Sequence, residues 1–246
     1  MNSTQLKVLI RSFFIQGSWN FKGMQNTGFC YAISPVIKEV TGRKSERSQS
    51  LLRHLEIFNT HPYMASTILG AVAQMELEGE GRDGEIIREM KIALSGPFAA
   101  IGDIFFWSTL KPLFSVTAII AAFLGSIFAP ILFILLYNSF HIWMRVKGFK
   151  EGLKRKTGVI SFIYDLKLLL TSKALKGFFF ILLGFMVSGL AYFFTPDFIF
   201  GKVGELRVLL IVPILLIAFL IHKRVSLILQ VYIASFLIIA GFLIFG

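Results

Sequence analysis

Residues 113–144 read LFSVTAIIAAFLGSIFAPILFILLYNSFHIWM, 32 positions without an Asp, Glu, Lys or Arg. About 20 consecutive apolar residues let an α-helix cross the hydrocarbon layer of a bilayer. This run exceeds one straight span, and Gly125 and Pro130 mark where it breaks. It reads as a tilted span with an extension or as two short arms. Two more stretches, Gly177–Pro196 and Val225–Gly246, are equally free of charge. A water-soluble core does not account for three such runs. Composition agrees: 55% of residues are hydrophobic and 16% charged, where a soluble domain carries about 25% charged. Mean hydropathy is +0.73. The expected class is an all-α integral membrane protein, with an N-terminal amphipathic helix, broken or re-entrant helical hairpins, and then several transmembrane helices.

The net charge of +11 raises the question of nucleic acid. Its distribution excludes that reading. Arg145, Lys147, Lys150, Lys154, Arg155 and Lys156 follow directly on the longest apolar run, and Lys167, Lys173 and Lys176 precede the next. Basic clusters beside spans mark the cytoplasmic side and suit anionic lipid headgroups. No aromatic-interleaved basic groove accompanies them. The basic stretch 145–176 is therefore placed inside, Gly177–Pro196 crosses outward, and the nearly charge-balanced Asp197–Arg207 lies outside. Val208–His222 returns as a short span with Arg207 and Lys223 snorkelling. Val225–Gly246 crosses outward again, leaving the C-terminus extracytoplasmic in a multi-pass membrane protein.

The chain divides near residue 112. Residues 1–112 carry specific-looking motifs, an amphipathic helix and two broken apolar segments; residues 113–246 hold the spans and the basic connector. Over 5–15, Leu6, Leu9, Ile10, Phe13 and Phe14 recur at helical spacing with Lys7 and Arg11 on the other side. Such a helix lies in the membrane interface or packs on a protein partner. No cleavable signal peptide is expected, because Lys7 and Arg11 interrupt the short apolar stretch Leu6–Phe14. The stretch 41–56 is polar and reads as cytoplasmic. Ile57–Met75 is uncharged but contains Asn59, His61 and Pro62; Ile92–Leu110 is interrupted by Gly96, Pro97, Gly102 and Asp103. Paired interrupted segments of this kind build sites at membrane depth in transporters, and both are expected to form hairpins that dip into the membrane. The polar stretch Glu76–Lys91 connects them in solvent; its glycines lack the GxxxxGK[ST] arrangement of a phosphate loop.

Polar groups inside apolar sequence are the candidate site residues. Asp103 is the sharpest: it can accept hydrogen bonds from sugar hydroxyls or fix a neighbouring hairpin, and it can also cap a helix over Ile104–Leu110. Asn59, Thr60 and His61 form a second group, suited to a polyhydroxylated ligand or to capping the helix that ends before Pro62. Gln16, Trp19, Asn20, Gln25 and Asn26 form a third, either a sugar-holding set of amides and aromatics or an interfacial turn. His54 and His61, seven apart and without a third ligand, make no metal site. His141 and His222 read as interfacial, and Cys30 as a packing residue. No nucleophile–base pair, phosphoryl-accepting side chain or cofactor motif emerges.

Four segments together are specific: QGSWNFKGMQNTGFCYAISP (16–35), RHLEIFNTHPYMASTILG (53–70), KIALSGPFAAIGDIFFWSTLKP (91–112) and LFILLYNSFHIWMRVKGFKEG (132–152). In this order they closely resemble the IID membrane component of the mannose/fructose/sorbose-type bacterial sugar phosphotransferase system. The last 90 residues match mainly in hydrophobic pattern. The resemblance implies a subunit of the bacterial inner membrane that pairs with a IIC membrane subunit in trimers of IIC–IID heterodimers, and that carries a hexose-type sugar inward while cytoplasmic IIA and IIB relay phosphate to it. The phosphoryl-carrying histidines would then belong to IIA and IIB. Substrate-contacting candidates under this reading are Asn59, His61 and Asp103, with Gln16, Trp19 and Asn26 behind them; the alternative is a docking subunit for IIB or external agents that makes no sugar contact. The connection near Asp197–Arg207 and the N-terminal extension are shorter than is usual in the family, which leaves the sugar open.

Overall fold

A computed structural model describes residues 1–79 and 84–193, and residues 1–184 form one compact unit. The described residues are helical and contain no β-strand longer than an isolated bridge. Helix α1 (Ser3–Ser12) starts with a reciprocal cap: the Asn2 side chain accepts from the Gln5 N–H at 2.8 Å while the Gln5 side chain accepts from the Asn2 N–H at 2.9 Å. Such a box satisfies two otherwise orphaned donors. α1 buries Val8 and Leu9 against α2 (Asn26–Val40) and α4 (Ala65–Leu77) and leaves Leu6 and Ile10 exposed, as are Phe13 and Phe14 just past its end. Both sequence readings of this helix therefore have a face to act on: one packs on protein, the other is free for lipid or a partner.

Pro35 lies inside α2. Its missing N–H leaves the Tyr31 carbonyl without its usual partner, and Arg11 of α1 donates to that carbonyl at 3.2 Å. α3 (Lys44–His54) is polar, as the 41–56 stretch implies. α4 is the centre of the unit. It is buried from Ala65 to Ala73 without interruption, which is the pattern of a helix with neighbours on all sides. Its closest neighbour is α7 (Ala129–Arg155). A Cβ added at Gly152 would overlap the Thr67 carbonyl and reach the Ala71 nitrogen at 2.8 Å; one at Gly70 would overlap the Phe149 carbonyl. The GFKEG sequence of 148–152 thus acts as a small-xxx-small seam that lets two backbones touch. His54 and Arg53 at the end of α3 close the unit through Glu76 at the end of α4. Arg53 Nη2 donates to both carboxylate oxygens, at 2.6 and 2.7 Å, and His54 Nε2 lies 3.0 Å from Oε1. Burial disfavours the Glu76 charge, but the hydrogen bonds and charges of His54 and Arg53 outweigh it and hold its pKa below the usual carboxylate value. Burial pushes the His54 pKa below its usual value despite the Glu76 bond.

The segment 92–110 does not fold back on itself. α5 (Glu85–Gly102) continues without a break through a π-helical stretch (Asp103–Leu110) into α6 (Lys111–Phe123), a helical path of 39 residues. The reversal comes later, at 124–128, where Gly125 takes φ +87° and two hydrogen bonds, Gly125 N–H to the Ala122 carbonyl and Ser126 N–H to the Ala121 carbonyl, form a left-handed C-cap. Pro130 then sits in the first turn of α7, where its missing N–H is harmless. The uncharged run 113–144 is thus two arms, and the hairpin is α6–α7 rather than 92–110 alone. Breaks at Lys156 and Lys167, both with φ +48°, precede α8 (Ile160–Asp165) and α9 (Leu168–Phe193).

Two helical stretches, Glu85–Phe123 and Ala129–Val187, are long and apolar enough to cross a membrane. In the second, only 11% of the most apolar window is buried. A soluble core helix would show the reverse; these side chains face outward, where lipid or a partner covers them. The connection 197–207, the spans assigned to 208–222 and 225–246, and the side on which the C-terminus lies fall outside the described residues.

Candidate functional site

The chain from Ile57 to Met64 is held open between α3 and α4 by its neighbours. The Gln25 N–H donates to the Phe58 carbonyl at 2.8 Å, its Nε2 to the Thr60 carbonyl at 2.7 Å, and its Oε1 accepts from the Thr60 N–H at 3.2 Å. The Thr60 hydroxyl donates to the Ser95 carbonyl of α5 at 3.0 Å. These bonds use up the buried amide of Gln25 and place His61 against α5.

His61 is 1% exposed. Its ring stacks on Phe106 (centroids 5.2 Å, interplanar 17°) and touches Trp107 and Tyr63 at 4.7 and 4.9 Å. Gly102 makes this approach possible, since a Cβ there would overlap His61 Cβ and Cγ and lie 2.9 Å from Nδ1. The Tyr63 N–H donates to Nδ1 at 3.3 Å, which assigns the proton to Nε2. That buried Nε2 has no partner among the described residues. Burial first, and then the charge of Arg145, drive the His61 pKa well below the usual value, so the ring is a neutral donor.

The π-helical stretch lines the same place. The Lys111 N–H donates to the Phe106 carbonyl, five residues back, and the Thr109 hydroxyl to the Ile104 carbonyl at 2.7 Å. Pro112, lacking an N–H, leaves the local bonding register open to such a slip. π-Turns are rare and gather at functional sites. Here two consecutive side chains, Phe106 and Trp107, both reach His61.

Asp103 opens this stretch with ordinary helical backbone angles, φ −61° and ψ −44°, and its side chain caps nothing. Of the alternatives for Asp103, the N-cap over Ile104–Leu110 does not form: the preceding helix runs straight through Gly102, so no free N–H groups exist for a cap to satisfy. Half-buried and without a hydrogen-bond partner among the described residues, the carboxylate follows the glycine that touches His61. Asn59, two residues before His61, is exposed and likewise unpartnered among the described residues.

The third group separates. Gln16 and Trp19 are exposed on the stretch before α2, with Trp19 edge-on to Phe21 at 5.0 Å, and no contact joins them to His61. Asn26 is spent inside the fold: Nδ2 donates to the Leu55 carbonyl at 2.6 Å, and Oδ1 accepts from Asn20 Nδ2 and the Thr27 N–H.

The sequence reading did not single out the residues behind His61. Tyr63 stacks on His141 (4.6 Å, 23°), and the Tyr137 hydroxyl donates to that of Tyr63 at 3.4 Å. Arg145 is 5% exposed, not part of a solvated basic face. Its guanidinium donates to the Ser12 carbonyl at 2.8 Å and lies over the rings of Phe13 and Tyr63. A signal existed: 137, 141 and 145 recur every four residues and share one helix face. Among the described residues, no group of three or more His, Cys, Asp or Glu gathers in a metal-binding arrangement.

The sequence profile of the phosphotransferase-system mannose/fructose/sorbose family IID component matches residues 1–245. The chain belongs to this family. It is 41% identical over 148 residues to the fructose permease IID component of Bacillus subtilis (strain 168), an alignment covering 59% of this chain and 54% of that one. The chain spans about half the length of the curated relatives it matches. Two solved structures resemble it. One, a membrane protein, is 27% identical with a TM-score of 0.71 over 98% of this chain and 96% of that one. The other is a cryo-EM structure of the mannose transporter ManYZ in complex with microcin E492, 27% identical with a TM-score of 0.58 over 100% of this chain and 97% of that one. The IID chain is accordingly a helical membrane protein of a sugar phosphotransferase family.

Proposed function

We propose that this IID chain is a membrane subunit of a permease that carries a hexose-type sugar inward and phosphorylates it at the expense of phosphoenolpyruvate. It works with a IIC membrane subunit and the cytoplasmic IIB and IIA carriers, in trimers of IIC–IID heterodimers. The family match along residues 1–245 carries this reading. In it the chain supplies no phosphoryl-accepting side chain and needs no cofactor; its role is to form and move part of the sugar path.

The sugar-facing part of the chain is the region of Asn59, His61 and Asp103, where Asn59 and Asp103 reach the surface while His61 itself is buried. A polyhydroxylated ring needs donors, acceptors and an apolar platform. The Asp103 carboxylate accepts from hydroxyls, Asn59 both donates and accepts, Trp107 is the platform, and the buried His61 Nε2–H becomes a donor when the sugar path opens. Gln16 and Trp19 form a separate rim, and Asn26 positions the loop instead of touching sugar. Deleting the gene in a strain lacking redundant permeases abolishes phosphoenolpyruvate-dependent uptake under this reading; unchanged uptake refutes it. A subunit that only docks IIB or an external agent keeps wild-type uptake when Asn59 and Asp103 are replaced.

A further inference from the structure

The cleft between α1 and α2 gathers an excess of positive charge beside an apolar stripe. Thr4, Lys7 and Arg11 share one face of α1, at spacings of three and four. Ser34 and Lys38, four apart on α2, complete a cleft of about 470 Å³, with Glu39 also on its wall. Three cations thus meet one carboxylate. Arg11 is fixed in place: it donates to Ser34 Oγ at 2.7 Å and lies 4.7 Å from the centre of the Tyr31 ring. Lys7 and Lys38 are exposed and have no hydrogen-bond or carboxylate partner among the described residues.

The neighbouring apolar stripe, Leu6 and Ile10 of α1 continuing past its end into Phe13 and Phe14, is exposed. α1 also runs beside the basic half of α7. Ser12 takes the Arg145 hydrogen bond, and Met1 and Gln5 share a second cleft with Lys150 and Lys154. The α1–α2 cleft therefore lies at the end of the molecule that carries the Arg145–Lys156 cluster. The bias of Lys and Arg toward the cytoplasmic side directs this end to the leaflet surface where anionic lipids attract them. An interfacial helix with acyl-facing residues on one stripe and cations on the next holds both parts of a phospholipid at once. Glu39 repels a second negative charge, which favours a singly charged phosphodiester over a dianionic phosphate.

We propose that the α1–α2 cleft binds the phosphodiester headgroup of an anionic phospholipid through Lys7, Arg11 and Lys38, with the acyl chains along Leu6 and Ile10. The test uses the full chain, delipidated in a maltoside detergent and titrated with short-chain phosphatidylglycerol, phosphatidylcholine or inorganic phosphate while the thermal midpoint is read. Phosphatidylglycerol is expected to raise the midpoint saturably and the other two to leave it in place. The double variant Lys7→Gln/Lys38→Gln should weaken the apparent Kd roughly 30-fold, the effect of two lysines lost from an anionic-lipid contact. Lys7→Arg/Lys38→Arg should keep the affinity, as should Lys22→Gln, whose side chain lies outside the cleft. All these side chains are exposed, and an unchanged midpoint without lipid verifies folding. Equal phosphatidylglycerol affinity in the Gln variant overturns the proposal. So does equal protection by phosphatidylcholine, which would mean acyl-chain binding only, or by inorganic phosphate, which would mean a soluble-anion site.

Discussion

Replacing Gly102 by alanine tests whether the seat of His61 is as tight as its geometry implies. Two effects oppose each other. Alanine is the better helix former, by about 0.5–1 kcal/mol in a helix interior, and Gly102 has ordinary helical angles. Against this, the added Cβ overlaps the His61 Cβ and Cγ. The imidazole has little room to yield: it is buried, stacked on Phe106, and bounded by Trp107 and Tyr63. Overpacking a site of this kind costs about 1–3 kcal/mol. Gly96 on the same helix is the internal control, because a Cβ there meets nothing within 4 Å. Gly96→Ala should therefore gain the propensity term alone, and the difference between the two variants isolates the strain, about 1–3 kcal/mol. At roughly 2–4 °C per kcal/mol for a chain of this size, scanning fluorimetry in detergent should find Gly102→Ala melting several degrees below Gly96→Ala. Sugar uptake should fall in the first and persist in the second. Equal melting and equal uptake in both would refute the reasoning about the seat.

Other perturbations follow from the packing. Gly152→Ala places a Cβ into the Thr67 carbonyl and should cost about 1–3 kcal/mol by forcing α4 and α7 apart; an unchanged melting midpoint would contradict the seam. Glu76→Gln leaves Arg53 and the buried His54 without their carboxylate and should cost roughly 3 kcal/mol, the low end for breaking a buried pair, since Arg53 is partly exposed. Stability should also fall on acidification: the folded pKa values of both His54 and Glu76 lie below their ordinary values, so the unfolded chain binds more protons. The loss begins below about pH 6.5 for His54 and deepens below about pH 4.5 for Glu76; chemical denaturation as a function of pH reads it, and a flat profile from 7 to 4 contradicts it.

The sequence shows its membrane character and family directly, because both rest on patterns the chain carries locally: uncharged runs, and four ordered motifs. The two arms of 113–144 were legible as one of two options, since Gly125 and Pro130 are turn and first-turn residues wherever they occur. The hairpin expected at 92–110 was misplaced because Gly96, Pro97 and Gly102 suggest a break in isolation. In the fold, Gly102 serves close packing against His61, and the helix passes through. The capping alternative for Asp103 fails for the same reason. The His61–Gly102–Phe106 contact joins segments some 40 residues apart, and the burial of Arg145 depends on Ser12, more than 130 residues away. Neither pairing is encoded in local spacing. Asn26 could not be told from a ligand-binding amide until its partners at Leu55, Asn20 and Thr27 were placed.

The central claim is that this chain presents Asn59, His61 and Asp103 to the sugar. Phosphoenolpyruvate-dependent uptake of labelled mannose and fructose, compared between wild type and the Asn59→Ala/Asp103→Asn variant with co-purification of the IIC subunit as the assembly control, measures it most directly. The account predicts uptake reduced at least tenfold, the loss of about one hydrogen-bonding contact or more, with assembly intact. Wild-type uptake by a normally assembled variant would contradict it.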